Sequence, residues 1–164
     1  MTIILKNKET LQYKNFYFKC VIGKKGLTVN KKEGDKKTPC GLFEIDKLYF
    51  RKDRIKMIDS KIRSIQIKKN MGWCDDQKNS KKYNKLIRVS KKIKHEKMYR
   101  KDSIYDLVIP IKYNFIKPRL GKGSAIFLHT TKNYKPTAGC IAISKGDFLI
   151  LLRLINRKTK IKIS

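Results

Sequence analysis

The sequence predicts a mostly-β domain with one helix, and three observations lead there. Short apolar or alternating runs recur along the chain, separated by Gly-, Pro-, Asn- and Lys-rich breaks. Only Phe148-Leu-Ile-Leu-Leu-Arg-Leu-Ile155 reads as a strongly apolar helix that packs on a sheet. Just before it, Ser144-Lys-Gly-Asp147 has the Ser-x-x-Asp form that starts a helix, because a serine oxygen there accepts an otherwise unpaired N–H. A length of 164 residues with 40% hydrophobic content suits one domain, 1–164, with a real core.

In chain order, Met1 to Leu5 reads as an edge strand, and Leu11 to Ile22 as a strand region ending at Gly23. Gly23–Asp35, dense in Gly, Lys and Asn, reads as an exposed basic loop. Thr38-Pro39-Cys40-Gly41 has Pro and Gly placed as turn residues, and Gly41 to Phe50 returns as a strand. Ile62, Ile65 and Ile67 mark another strand within the basic stretch Arg51–Asn70. Lys91 to Asp102, with mixed charges around Ile93, Met98 and Tyr99, is a candidate short helix. Tyr105 to Pro110 is a strand stopped by proline, and Leu120 to Gly123 a flexible lead into the next one. Lys160 to Ile163 alternates like a last half-buried strand. No internal repeat or low-complexity linker is present.

Composition bounds the partners. The net charge is +29, from 42 Lys+Arg against 13 Asp+Glu. Such a charge steers a protein toward anionic polymers whatever its fold. The lysines are spread along the chain, and the aromatic residues follow no RNA-binding or zinc-finger pattern, which argues against specific nucleic-acid binding. Three readings stay open: charges that are merely solvated, charges that hold another anionic polymer, and functional nucleic-acid binding. No run approaches the roughly 18 apolar residues of a membrane span. Met1–Thr10 has no apolar core of a secretory signal. Cys20, Cys40, Cys74 and Cys140 form no CxxC pair and no Cys/His spacing of a zinc site. Cys20 reads as a small core residue, and a disulfide between two of Cys20, Cys40 and Cys74 stays open.

The stretch that reads as chemistry is Ser124 to Ile143. Ala125-Ile126-Phe127-Leu128 delivers His129, a polar loop follows, and Gly139-Cys140 opens Ile141-Ala142-Ile143. Two buried neighbouring strands would bring the imidazole beside the thiol, draw off its proton and leave a nucleophilic thiolate. Gly139 lets the backbone turn tightly and aim N–H groups at an oxyanion. His95, among charges in Lys94-His95-Glu96-Lys97, reads as a solvated side chain. Spacing alone leaves a second reading open, a buried structural cysteine with an unrelated loop histidine.

The segment resembles the signature of the L,D-transpeptidase (YkuD-like) catalytic domain, a histidine after an apolar strand, a loop, then Ser/Thr-x-Gly-Cys-Ile/Val. Here these are His129 and Thr137-Ala138-Gly139-Cys140-Ile141. Thr38-Pro39-Cys40-Gly41-Leu42-Phe43 resembles the family's TPxGxF segment. Gly72-Trp73-Cys74-Asp75-Asp76, Tyr83-Asn84, Tyr105-Asp106 and Tyr113-Asn114 resemble a compact, single-domain branch. The chain departs from many members in having Ala138 and Ala142 where a second histidine and an arginine stand, and in a shorter loop before the cysteine.

The resemblance implies a β-sandwich-like catalytic domain and a cysteine acyltransferase acting on peptidoglycan stem peptides, with no metal or organic cofactor. It implies Cys140 as nucleophile and His129 as base, with Gly139, Thr137 and Thr130 supporting the oxyanion. Trp73, Asp75 and Asn114 become candidate substrate contacts; Asp75 has two uses, binding a substrate ammonium or holding a basic loop. Transpeptidation and hydrolysis, as a carboxypeptidase or endopeptidase, both fit, and so does a non-catalytic basic binding protein. The family implies work in the periplasm or cell wall by a monomer; the missing signal leaves the cytoplasm open.

Overall fold

Side chains that alternate inward and outward build the first strands. In the computed structural model, which describes residues 1–164, these are β1 (Thr2–Asn7), β2 (Thr10–Tyr13) and β3 (Phe16–Val21). Ile3, Leu5, Leu11, Tyr13, Phe18 and Cys20 face the core. Lys14, at φ +54°, makes the turn between β2 and β3, so the expected single strand region is a hairpin. Then come β4 (Leu27–Thr28) and β5 (Thr38–Pro39), which pair in parallel. Thr38 is therefore not part of a free turn: it is fully buried, and its hydroxyl accepts the Gly23 N–H at 2.9 Å. Nor is Gly23–Asp35 wholly exposed, since Lys31 is buried.

The run Gly41–Phe50 splits into β6 (Gly41–Glu44) and β7 (Leu48–Phe50). β8 (Ser64–Gln66) follows, and then β9 (Met71–Cys74), β10 (Leu86–Arg88) and β11 (His95–Lys97) make a small sheet with β9 in the middle. The candidate helix at Lys91–Asp102 is thus a strand. Pairing of Glu96 with Trp73 and of Lys97 with Gly72 supplies ladder bonds that outweigh a weak helical preference. β12 (Leu107–Pro110), β13 (Phe127–Thr131) and β14 (Ile141–Ser144) are the central strands, and α1 (Lys145–Leu154) leads to β15 (Lys160–Ile163).

Ten strands form one curled sheet in the order β6-β15-β1-β2-β3-β14-β13-β12-β7-β8. β1 is not at an edge: β15 returns to lie parallel beside it, with Ile3 opposite Ile161. β6 and β7 stand near opposite ends of that order, yet only Ile45–Lys47 separates them. Four chain steps reach about 14 Å at most, so the sheet has to curl until its ends nearly meet. Ile45, buried and bridged to Ile111, sits where they do.

Helix α1 lies against β13 and β14. The Ser144 hydroxyl accepts the Asp147 N–H at 3.0 Å, as the Ser-x-x-Asp pattern predicts. Phe148, Leu151 and Leu152, three and four residues apart, form its buried face. The main core gathers these residues with the inward side chains of the ten-stranded sheet. A second cluster, with Tyr49, Trp73, Met98, Tyr105, Phe127 and Cys140, fills the space between the sheet and the β9–β11 layer. No helix is long and apolar enough to cross a membrane. Two substitutions weigh cap against packing in urea unfolding. Ser144→Ala is expected to cost about 1 kcal/mol, and Leu151→Ala about 2–5 kcal/mol.

Candidate active site

β13 and β14 are parallel neighbours, with Leu128 opposite Ile141 and His129 opposite Ala142. Strand alternation then puts Phe127, His129, Cys140 and Ala142 on one face, and Leu128, Thr130, Ile141 and Ile143 on the other. The second set belongs to the main sheet's inner side, where Leu128, Ile141 and Ile143 join the core. The first face opens on a groove of about 620 Å³ lined by both His129 and Cys140. The expected juxtaposition of two buried strands is therefore the one observed.

Cys140 is only 8% exposed, and backbone groups hold its sulfur on two sides. The Phe127 N–H donates to Sγ at 3.3 Å, and the thiol donates to the Ala125 carbonyl at 3.2 Å. His129 is 6% exposed and packs edge-on against Tyr105, ring centres 5.5 Å apart. Its Nδ1 lies 2.9 Å from the Thr130 carbonyl. A carbonyl only accepts, so Nδ1 carries the proton and Nε2 keeps a lone pair.

A family model of the L,D-transpeptidase catalytic domain (YkuD) matches residues 1–163. The chain belongs to that family. No curated protein and no solved structure matches it. Membership brings the family's catalytic function and its action on peptidoglycan stem peptides.

In this L,D-transpeptidase domain the cysteine loop is held by its neighbours. Thr137 Oγ1 donates to the Cys140 carbonyl at 2.7 Å and accepts the Gly139 N–H at 3.1 Å. Gly139 sits at φ +143°, and a Cβ there would come within 2.8 Å of the Lys37 carbonyl oxygen, which excludes any larger residue. Because its N–H is already bonded to Thr137, Gly139 supports the turn and does not offer the donor expected of it. The Thr130 hydroxyl reaches the carbonyls of Ser103 and Ile104, at 2.6 and 2.9 Å, and anchors β13 to that turn.

The other candidate residues divide. Asp75 lines the groove; its Oδ2 is 3.6 Å from Lys94 Nζ, and its Oδ1 is buried without a partner. Trp73, 2% exposed, packs on Phe127 and reaches no groove surface, because its position in the middle of β9 turns the indole into the second core cluster. Asn114 staples its own loop, donating to the Arg119 and Gly123 carbonyls. His95 is half-buried over Gly72, not solvated, and takes no part in the groove.

The groove cations Lys31 and Arg100 escaped the sequence reading, and Tyr105, noted there only as part of a family-like motif, lines the groove as well. Lys31 runs beneath Gly123 and Gly139 and pairs with Asp35. Arg100 reaches over Tyr105 and pairs with Glu96 and Asp102. A basic loop pattern hides such cations among many solvated ones; the burial of Lys31 and the ion pairs of Arg100 mark them out.

Burial sets the charge state of the pair. It pushes the Cys140 thiol up to about 12, although the Phe127 N–H works the other way. It also pulls His129 down to about 4, helped by Arg100 and opposed by the Thr130 carbonyl. At neutral pH both groups are uncharged, so the resting thiolate expected from sequence is not the resting state. Thiol and imidazole face the groove as neutral donor and acceptor.

His129 also gives stability a pH dependence. Its folded value of about 4 lies below the ordinary 6.5, so from pH 6.5 downward the unfolded chain takes up a proton that the folded chain refuses. The associated stability is complete above pH 6.5 and lost as pH falls toward 4. Urea midpoints across that window are expected to fall more steeply for the parent than for His129→Gln. Equal slopes would show that His129 is not buried in its neutral form.

Proposed function

We propose that this domain transfers acyl groups of peptidoglycan stem peptides through a thioester on Cys140. The observation that carries the proposal is the shared groove face of Cys140 and His129 on the parallel pair β13–β14. Sγ attacks the carbonyl of an L-centre joined to a D-residue, forming the S–C bond. The thiol proton passes to His129 Nε2 in the same step, which spares the buried site a separate thiolate and imidazolium. The tetrahedral intermediate collapses as the C–N bond breaks, and His129 returns the proton to the leaving amine. An acceptor amine then attacks the thioester, giving transpeptidation; attack by water gives carboxypeptidase or endopeptidase action. With the Gly139 N–H engaged, the Cys140 N–H is the donor we assign to the oxyanion.

Charge supports a second layer to this reading. Four cations and four acids line the groove, in a chain with 42 and 13, so the positive excess lies on the surrounding surface. We assign that surface to holding anionic wall polymer while the groove takes the neutral peptide backbone, placing the work in the periplasm or cell wall. Retention on purified sacculi is expected to fall steeply with salt, since exposed charges are screened within about 10 Å at 0.1 M. Salt-independent retention, or equal retention of duplex DNA, would remove this layer.

The decisive experiment incubates the protein with purified muropeptides and reads products by mass spectrometry. Cross-linked products indicate transfer, and shortened stems hydrolysis. Cys140→Ala is expected to abolish both with little change in stability, and His129→Ala to slow them by about 10²–10⁴-fold, the usual contribution of a general base. His95→Ala is expected to be silent. Products from Cys140→Ala at the parental rate would end the covalent mechanism.

A further inference from the structure

The sulfur of Cys140 is held through a residue more than 50 positions earlier in the chain. Asn84 is 3% exposed and sits at φ +55°, a backbone that asparagine adopts more readily than most residues. Its Oδ1 accepts the Ala125 N–H at 3.0 Å and the Trp73 Nε1–H at 2.8 Å. Its Nδ2 donates to the carbonyls of Tyr113, at 3.2 Å, and Asn114, at 2.7 Å. The two donors and two lone pairs of the amide are all used.

What this amide holds is an unfavourable backbone. Ala125 sits at φ +51°, which costs a residue with a Cβ about 1–2 kcal/mol. In that conformation the Ala125 carbonyl points at the Cys140 thiol and accepts its proton at 3.2 Å. Two residues on, the Phe127 N–H holds Sγ from the other side. A second tie runs alongside the first. Glu33 accepts from the Ser124 hydroxyl at 2.7 Å and also from the Tyr83 hydroxyl. Residues 83 and 84 are therefore bonded to 124 and 125 at consecutive positions, once through a carboxylate and once directly.

We propose that Asn84 is a positioning residue for the nucleophile. It locks Ala125 in its left-handed conformation and so sets where the Cys140 sulfur stands and where its proton points before attack. This rests on the reading of Cys140 as nucleophile. During attack the thiol proton leaves the Ala125 carbonyl for His129 Nε2 as the S–C bond forms, so the carbonyl's direction governs both the attacking atom and the start of proton transfer.

The test is Asn84→Gly, which keeps the left-handed backbone at no steric cost and removes only the amide. Alkylation of each cysteine by iodoacetamide is followed by mass spectrometry, and kcat and KM are measured on muropeptides. We expect Cys140 to be labelled at least about 10-fold faster as its two backbone contacts loosen, while Cys20 stays as protected as in the parent. We expect kcat to fall by up to about 100-fold with KM nearly unchanged, the loss associated with displacing a reacting group by about 1 Å. The fluorescence of Trp73, the chain's single tryptophan, shifts as its indole loses its acceptor.

Labelling of Cys140 at the parental rate in a folded variant overturns the proposal. So does a rise shared equally by Cys20, which marks general loosening. Should Asn84→Gly not fold, Asn84→Asp carries the same readouts. It keeps volume and backbone preference but sets a carboxylate oxygen against the carbonyls of Tyr113 and Asn114. Alkylation needs no substrate, so selective release of Cys140 in a protein without acyl transfer supports the positioning role and overturns only the nucleophile reading.

Discussion

β13 and β14 run parallel as hydrogen-bonded neighbours, joined by a loop of nine residues and no crossover helix. That loop has to bring the chain back along the length of β13, so Cys140, just ahead of β14, arrives level with Phe127. The register then decides everything on both faces. Leu128, Ile141 and Ile143 enter the main core, while Phe127, His129 and Cys140 face the groove and the second cluster. A slip of one residue in β14 would send Cys140 into the core and Ile141 into the groove. The core therefore guards the active site: three fully buried aliphatic side chains, each contributing roughly 1.5–3 kcal/mol by burial, oppose such a slip.

Burial on the groove face has a chemical consequence. A thiol and an imidazole kept from water both favour their neutral forms, one displaced upward and the other downward. Orientation takes over the work that a standing charge would do. The Thr130 carbonyl selects the imidazole tautomer, and the Ala125 carbonyl and Phe127 N–H select the place of the sulfur. Such a site depends on backbone groups being well placed, so the loops that hold them matter as much as the strands. Thr137, Gly139 and Asn84 each belong to that holding structure; Thr137 and Asn84 are tied by hydrogen bonds to distant parts of the chain, and Gly139 is tied to Thr137.

Motif and period were legible without coordinates where they act locally. The cap at Ser144, the apolar helix after it, the alternation of Lys160 to Ile163 and the burial of Cys20 depend on residues within a few positions of one another. The resemblance in Thr137 to Ile141 and at His129 led to the family that the family model then matched. Misreadings came where a partner lies far away. Lys91–Asp102 has the charges of a helix but finds strand bonds on β9, and Met1–Leu5 looks like an edge until the last strand returns beside it.

The sequence by itself determined the β-rich architecture, the helix and its cap, and the motif that led to the family. These follow from side-chain period, capping chemistry and a short motif, all of them local. Only the tertiary structure decided that Lys31 is buried, that Trp73 supports and does not line the groove, and that thiol and imidazole rest uncharged. It also decided that Asn84 reaches Ala125, for the same physical reason. Desolvation and hydrogen-bond direction depend on which distant segments close around a group, and no local pattern records that closure.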